Sequence, residues 1–385
     1  MSKQNPMAQK AIALHKKLKG KLSVNSKAEL KSAKDLSLYY TPGVGAVSLY
    51  LAEHKSEVRE FTIKRNTVAV VSDGSAVLGL GNIGPEGAMP VMEGKCQLFK
   101  TFADVNAFPI VLDTQNSDEI VATVKHIAPI FGGINLEDIS APRCFEIEER
   151  LINELDIPVM HDDQHGTAVV ALAAMINALK VVKKTMDKSR VVIVGAGAAG
   201  IAVARLLLLE GAGDVILVDS QAIICRRRDY QQNKYKGEMA KITNKNNLSG
   251  SMDEAIKGAD ILIGLSKAGL FKPEHIKSMA ARPIVFAMAN PVPEIMPDVA
   301  KKAGAAVVAT GRSDFPNQIN NVLGFPGIFR GALDNNVKKI TPKMKLQVAK
   351  NLAALIKKPT PNCIIPSPFD KRVVRAVARA IKELL

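Results

Sequence analysis

Short apolar runs rich in β-branched residues alternate with amphipathic stretches along most of the 385-residue chain. That alternation predicts an α/β fold with helices on the faces of parallel sheets. In the first half the runs are 68–71, 109–112, 131–134 and 158–160. From residue 191 onward they are 191–194, 215–218, 261–265, 284–287 and 305–309, which reads as a second, doubly wound sheet of the dinucleotide-binding kind. Two domains are expected: an N-terminal catalytic α/β domain over 1–162 and a Rossmann-type domain over 163–340. A helical tail, 341–385, carries amphipathic stretches near 345–357 and 371–385, separated by Pro359, Pro361, Pro366 and Pro368. It is expected to pack back on the body or on a partner subunit. The polar segment 225–250 is expected to form a helix and a solvated loop without chemistry.

Each apolar run of the first half soon meets an acid: Asp73, Asp113, Glu137 with Asp138, and Asp162 with Asp163. Ligands gather beyond the carboxyl ends of parallel strands, so acids repeated there suggest one cation-attracting mouth. Asp73 and Asp113 read as turn and cap residues. A helix is expected from Ser140, its N-cap, through the stripe Ile147, Leu151 and Leu155, so Glu137 and Asp138 lie at a strand-to-helix junction. Glu137, Asp138 and Asp163 together offer hard oxygen ligands suited to Mg²⁺ or Mn²⁺, although spacing alone favours caps and surface acids, because acidic pairs are common.

Residues 191–204 run strand, Gly195-x-Gly197-x-x-Gly200 turn, helix start, with Asp219 ending the next run. Gly195 suits the tight turn, Gly197 close approach to a pyrophosphate, and Gly200 close helix packing, while Ala198 and Ala199 open the helix whose N-terminus faces the phosphates. The Asp219 carboxylate suits a ribose diol and favours NAD; Arg226, Arg227 and Arg228 follow closely and leave NADP open.

Lys95 after Gly94 could act as a base and Tyr40 before Thr41-Pro42-Gly43 as an acid, although each singly is also an ordinary surface or half-buried residue. His161 and His165 flank Asp162 and Asp163; a helix is expected to start only near Gly166, so both read as local hydrogen-bonding residues and not as zinc ligands. The formal charge of +15 invites anionic partners, but the basic pairs are scattered and aromatics are only 4%, which argues against a nucleic-acid surface. The apolar stretches 168–179 and 191–209 are short or interrupted by Asn177, glycines and Arg205, so no membrane span is expected. Four dispersed cysteines and a polar N-terminus without a secretory pattern point to the reducing cytoplasm.

Taken in order, the segments 37–43, 73–84, 93–95, 135–142, 161–167, the dinucleotide turn, 289–291 and 320–322 resemble malic enzymes in their short bacterial and archaeal form. The resemblance runs from about Leu36 to Pro326. It implies oxidation of L-malate with NAD(P)⁺, decarboxylation to enolpyruvate and tautomerisation to pyruvate. By the same resemblance Lys95, assisted by Asp162, takes the C2 hydroxyl proton, Tyr40 protonates C3, and Glu137, Asp138 and Asp163 hold the metal. Asn290, Asn320 and Asn321 would contact substrate, with Asn290 and Thr167 also near the nucleotide, and the chain would form a homodimer in which a partner could complete the site. Ala76 stands where long forms carry an arginine, which leaves one malate carboxylate without a partner. The rival readings are another metal-dependent 2-hydroxy acid dehydrogenase and a silent nucleotide- or RNA-binding protein.

Overall fold

The computed structural model describes residues 6–385. Nine strands form two parallel sheets: β1 Thr67–Ser72, β2 Asn106–Val111, β3 Gly133–Leu136, β4 Val159–His161, β5 Arg190–Val194, β6 Asp214–Val218, β7 Ile261–Gly264, β8 Ile284–Ala287 and β9 Val307–Thr310. The first sheet has the order β2-β1-β3-β4 and the second β6-β5-β7-β8-β9. All pairings are parallel, with Val68 opposite both Ala107 and Gly133, and Ile193 opposite Leu217 and Ile263. Strands covered on both faces cannot alternate polar and apolar positions, which is why Val68–Val71 and Val191–Val194 are continuous and buried. In each sheet the strand order reverses at the first strand, β1 or β5, opening a crevice at its carboxyl end.

Between the sheets runs the helix Asp162–Val182. It begins four residues before Gly166, contrary to the expectation from sequence: Asp162 and Asp163 occupy its first turn, where carboxylates are favoured by the helix dipole. It also runs across the boundary expected between 162 and 163. Alanines at 168, 171, 173, 174 and 178 make it apolar and narrow, so it packs closely on the helix Ala198–Leu209. Among the described helices it is long and apolar enough to cross a membrane, yet 72% of its most apolar window is buried inside this fold.

The helix expected from Ser140 starts later, at Arg143, with Pro142 in the cap position. Ser140 instead donates its backbone N–H to Ser75 Oγ at 2.9 Å, and Asp73 pairs with Arg143 at 2.8 Å, as befits a turn acid. The tail forms helices Pro342–Ala353 and Arg372–Lys382, which pack on Asp162–Val182 and on a further helix, Phe325–Asp334. Asn177 anchors the intervening chain, donating to the carbonyls of Ala353 and Ile364, each at 2.9 Å. Phe325 and Phe329 pack edge-on against Phe99 of the helix Gly84–Ala103, so the C-terminal third closes over the first sheet. The N-terminal helices Pro6–Leu18, Ala33–Tyr39 and Gly43–Glu53, by contrast, bury no residue in this chain.

Candidate active site

Glu137 and Asp138 follow β3, and Asp138 adopts φ +54°, turning the chain so that two consecutive acids face one volume. Asp163 reaches the same place from the first turn of Asp162–Val182 and accepts the Asp138 N–H at 2.8 Å. Ligand oxygens of Glu137, Asp138 and Asp163 lie within 4.8 Å of one another. Asp138 Oδ2 is buried without any hydrogen-bond partner. A buried carboxylate oxygen left orphaned among other acids is costly unless a cation meets it, so this donor set fits a hard divalent ion. Burial pushes the carboxyls up, Glu137 to about 7, Asp138 to about 9 and Asp163 to about 6, with neighbouring acids adding to the shift and Lys95 opposing it.

Lys95 comes from the helix Gly84–Ala103 and is 7% exposed, so it is no solvated charge. Its Nζ donates to Asp162 Oδ2 at 2.6 Å and pairs with Glu137 Oε1 at 2.8 Å. It also lies 4.2 Å from the centroid of the Phe325 ring, a cation–π contact that fixes the ammonium from a third side. Burial disfavours its charge, but Asp162, Glu137 and Asp163 outweigh burial and raise its pKa well above the ordinary lysine value. Asp162, pushed up to about 7 chiefly by burial, lies beneath Gly166, where a Cβ would overlap its Oδ1.

The glycines of the dinucleotide turn take the expected places. Gly195 has φ +119°, and a side chain there would strike the Leu265 carbonyl; one at Gly200 would strike the Gly195 carbonyl. Gly197 faces open space and lines, with Ala198 and Ala199, a cavity of about 920 Å³. The same cavity is lined by Lys95, Glu137, Asp138, Asp163, Thr167, Asn290, Asn320 and Asn321. Sequence-distant acids, base, asparagines and nucleotide turn are thus brought to one crevice between the two sheets. Asn320 spends its Oδ1 on the Val322 N–H, keeping its amide NH₂ for a ligand, and Gly79 lets the first half approach the Asn290 carbonyl closely.

Two expected residues stand elsewhere. Tyr40 is 65% exposed and does not line the cavity. Asp219 is not free for a ribose diol: Arg228 grips it through both Nη atoms at 3.1 and 2.9 Å, and Lys236 donates to it at 2.7 Å. The segment 225–250 forms the helix Lys234–Ile242, as expected, and that helix brings Lys236 to Asp219. The residues missed from sequence are Phe325, Lys236, Glu294 and Glu148. Glu294, fully buried, accepts the N–H groups of Ser266 and Ala289, each at 2.9 Å, and so ties together the loops after β7 and β8. Glu148 accepts from the His161 N–H at 2.8 Å, Gln164 at 3.1 Å and His165 at 3.0 Å, bracing the start of the helix that holds Asp162 and Asp163. Its place on the Ile147–Leu151 face was the one available signal. His165 is hydrogen-bonding as expected, whereas neither ring nitrogen of buried His161 makes a hydrogen bond, Nε2 lying 3.9 Å from Asp163 Oδ2.

Comparison with known proteins agrees with this geometry. A model of the malic enzyme N-terminal domain matches residues 19–119 and 114–152, and one of the malic enzyme NAD-binding domain matches 164–383. The chain is 54% identical to the bifunctional malic/malolactic enzyme of Bacillus subtilis, over 97% of this chain and 92% of that protein. It is 57% identical to the NAD-dependent malic enzyme of Geobacillus stearothermophilus over 94% and 76%. The NADP-dependent malic enzyme of Halomonas elongata is 45% identical over 97% and 92%. The crystal structure of NAD-dependent malic enzyme from Thermotoga maritima superposes with a TM-score of 0.94 at 50% identity, covering 97% of this chain and 98% of that one. With Lys95, the acids and the dinucleotide turn in one crevice, the chain belongs to the malic enzyme family of NAD(P)-dependent, malate-decarboxylating oxidoreductases.

Proposed function

We propose that the chain converts L-malate to pyruvate and CO₂ with a divalent cation, Mg²⁺ or Mn²⁺, held by Glu137, Asp138 and Asp163. The observation that carries this reading is Lys95 locked between Glu137 and Asp162 on the wall that also bears the dinucleotide turn. Lys95 takes the C2 hydroxyl proton, and Asp162 holds its Nζ toward the substrate. A bound dication would supply positive charge beside the C2 oxygen and offset the carboxylate field that keeps the proton on Lys95, and a bound nicotinamide would supply the acceptor for the C2 hydride. Asn290, Asn320 and Asn321 orient malate along the cavity wall. The test is malate-dependent reduction of NAD⁺ and NADP⁺ by chelator-stripped protein with and without Mn²⁺. Pyruvate formation only with metal supports the reading; metal-independent turnover, or none in either state of folded protein, overturns it.

Two features extend it. With Asp219 neutralised by Arg228 and Lys236, the adenosine end presents cations toward a 2′-phosphate, so the site accepts NADP as well as NAD. Tyr40 lies on an N-terminal face that exposes Leu38, Tyr39, Val47 and Leu49, an apolar surface of the kind that marks an interface. A homodimer formed through this face brings Tyr40 into the partner's cavity, where it protonates C3. The absence of any disulfide among four free cysteines, three of them buried, suits a cytoplasmic location.

A further inference from the structure

A second cavity, of about 160 Å³, lies where the helices Asp162–Val182, Ala198–Leu209 and Pro342–Ala353 meet. Its apolar wall is formed by Ile201, Leu206 and Leu209, and its polar groups are Gln164, His165, Arg205 and Lys345, with no carboxylate among the described lining residues. Lys345 is 9% exposed. Among the described residues no acceptor or ion-pair partner reaches its Nζ; Glu148 acts on it only through space and is itself hydrogen-bonded by the His161 N–H, Gln164 and His165. Burial accordingly draws its pKa down to about 8. A lone buried ammonium facing a cavity is unfavourable until an anion meets it. Arg205 closes the rim and is held only by Glu238 on the surface, at 2.8 Å with both side chains about half exposed, a pair that costs little to break.

We propose that this cavity is a binding site for a small organic monocarboxylate with a short aliphatic body, its carboxylate on Lys345 and its chain against Ile201, Leu206 and Leu209. One unpaired buried cation calls for one carboxylate; a dicarboxylate would place its second charge against the apolar wall. The site is separate from the malate crevice. Its wall nonetheless includes Gln164 and His165 from the start of the helix whose Asp163 lines that crevice, and Ile201 to Leu209 along the helix that opens at the dinucleotide turn.

The experiment is calorimetric titration of the full-length protein with hexanoate, with hexan-1-ol as the uncharged counterpart, in wild type and in Lys345→Met. Lys345→Met keeps the length of the side chain and removes the charge; it is expected to fold, to melt at a higher temperature and to retain malate turnover. Hexanoate is expected to bind wild type, to bind the variant about tenfold more weakly or worse, and to be uncompeted by malate. No binding to wild type, equal binding to Lys345→Met, equal binding of hexan-1-ol, or displacement by malate would each overturn the proposal.

Discussion

At the residue scale, Lys95, the proposed base, is defined by what surrounds it. It touches two carboxylates and an aromatic face, so its loss removes the proposed proton acceptor and leaves buried acids unpaired. Lys95→Ala is expected to lower malate oxidation by about 10³-fold or more while the nucleotide affinity measured by fluorescence titration stays near wild type. Gly166 offers a subtler probe: a methyl group there overlaps Asp162 Oδ1, so Gly166→Ala should swing Asp162 off Lys95. The expected result is a fall in kcat of roughly tenfold to a hundredfold with little change in KM for NAD, checked by steady-state kinetics. Lys95 and Asp162 were legible as motif members, but not the contact between them, since 67 residues separate them in sequence. Phe325 was not legible at all, because nothing in an aromatic's own segment shows which cation it will cover.

At the element scale, short junctions decide where side chains point. The positive φ of Asp138 and the early start of the helix Asp162–Val182 bring three acids together; a helix beginning at Gly166 would have left Asp163 on an extended segment. That start is braced by Glu148, held at about 2 against the upward pull of burial by its contact with His165 and by the nearby Lys345 and His161. His161 is fully buried and lowered to about 4 by desolvation. Its folded pKa lies below its ordinary value of 6.5, so the unfolded chain binds the extra proton between them, and stability present above 6.5 is lost as pH falls toward 4. The full loss is on the order of 3 kcal/mol. The raised carboxyls of Glu137, Asp138, Asp162 and Asp163 shift stability the opposite way over this range, so the loss is read by difference: between pH 7 and pH 4.5 in urea denaturation, His161→Gln is expected to gain stability relative to wild type. On the second sheet, the helix Lys234–Ile242 carries Lys236 to Asp219. Lys236→Gln is expected to raise KM for NADP roughly tenfold and leave KM for NAD within about twofold, measured with both cofactors at saturating malate.

At the scale of the whole molecule, the crevice joins two sheets, and the N-terminal helices present an apolar face that this chain does not cover. If Tyr40 serves the partner's cavity, inactive Tyr40→Phe and Lys95→Ala proteins, unfolded and refolded together, should recover about a quarter of wild-type activity through mixed dimers. No recovery would place Tyr40 in the service of its own chain. Local composition determined much of this protein. Strand positions follow from β-branched runs, because a strand covered on both faces must be apolar throughout, and the dinucleotide turn follows from its glycines, of which Gly195 and Gly200 leave no room for a side chain. The identity of the metal-type acids and of Lys95 was likewise written in short motifs. Tertiary structure alone decided what those groups meet: Lys95 with Asp162 and Phe325, Asp219 with Arg228 and Lys236, Glu148 with the start of the central helix, Tyr40 outside its own cavity. Charge and protonation depend on neighbours within a few ångströms, and those neighbours come from segments that chain order keeps apart until the sheets and helices have packed.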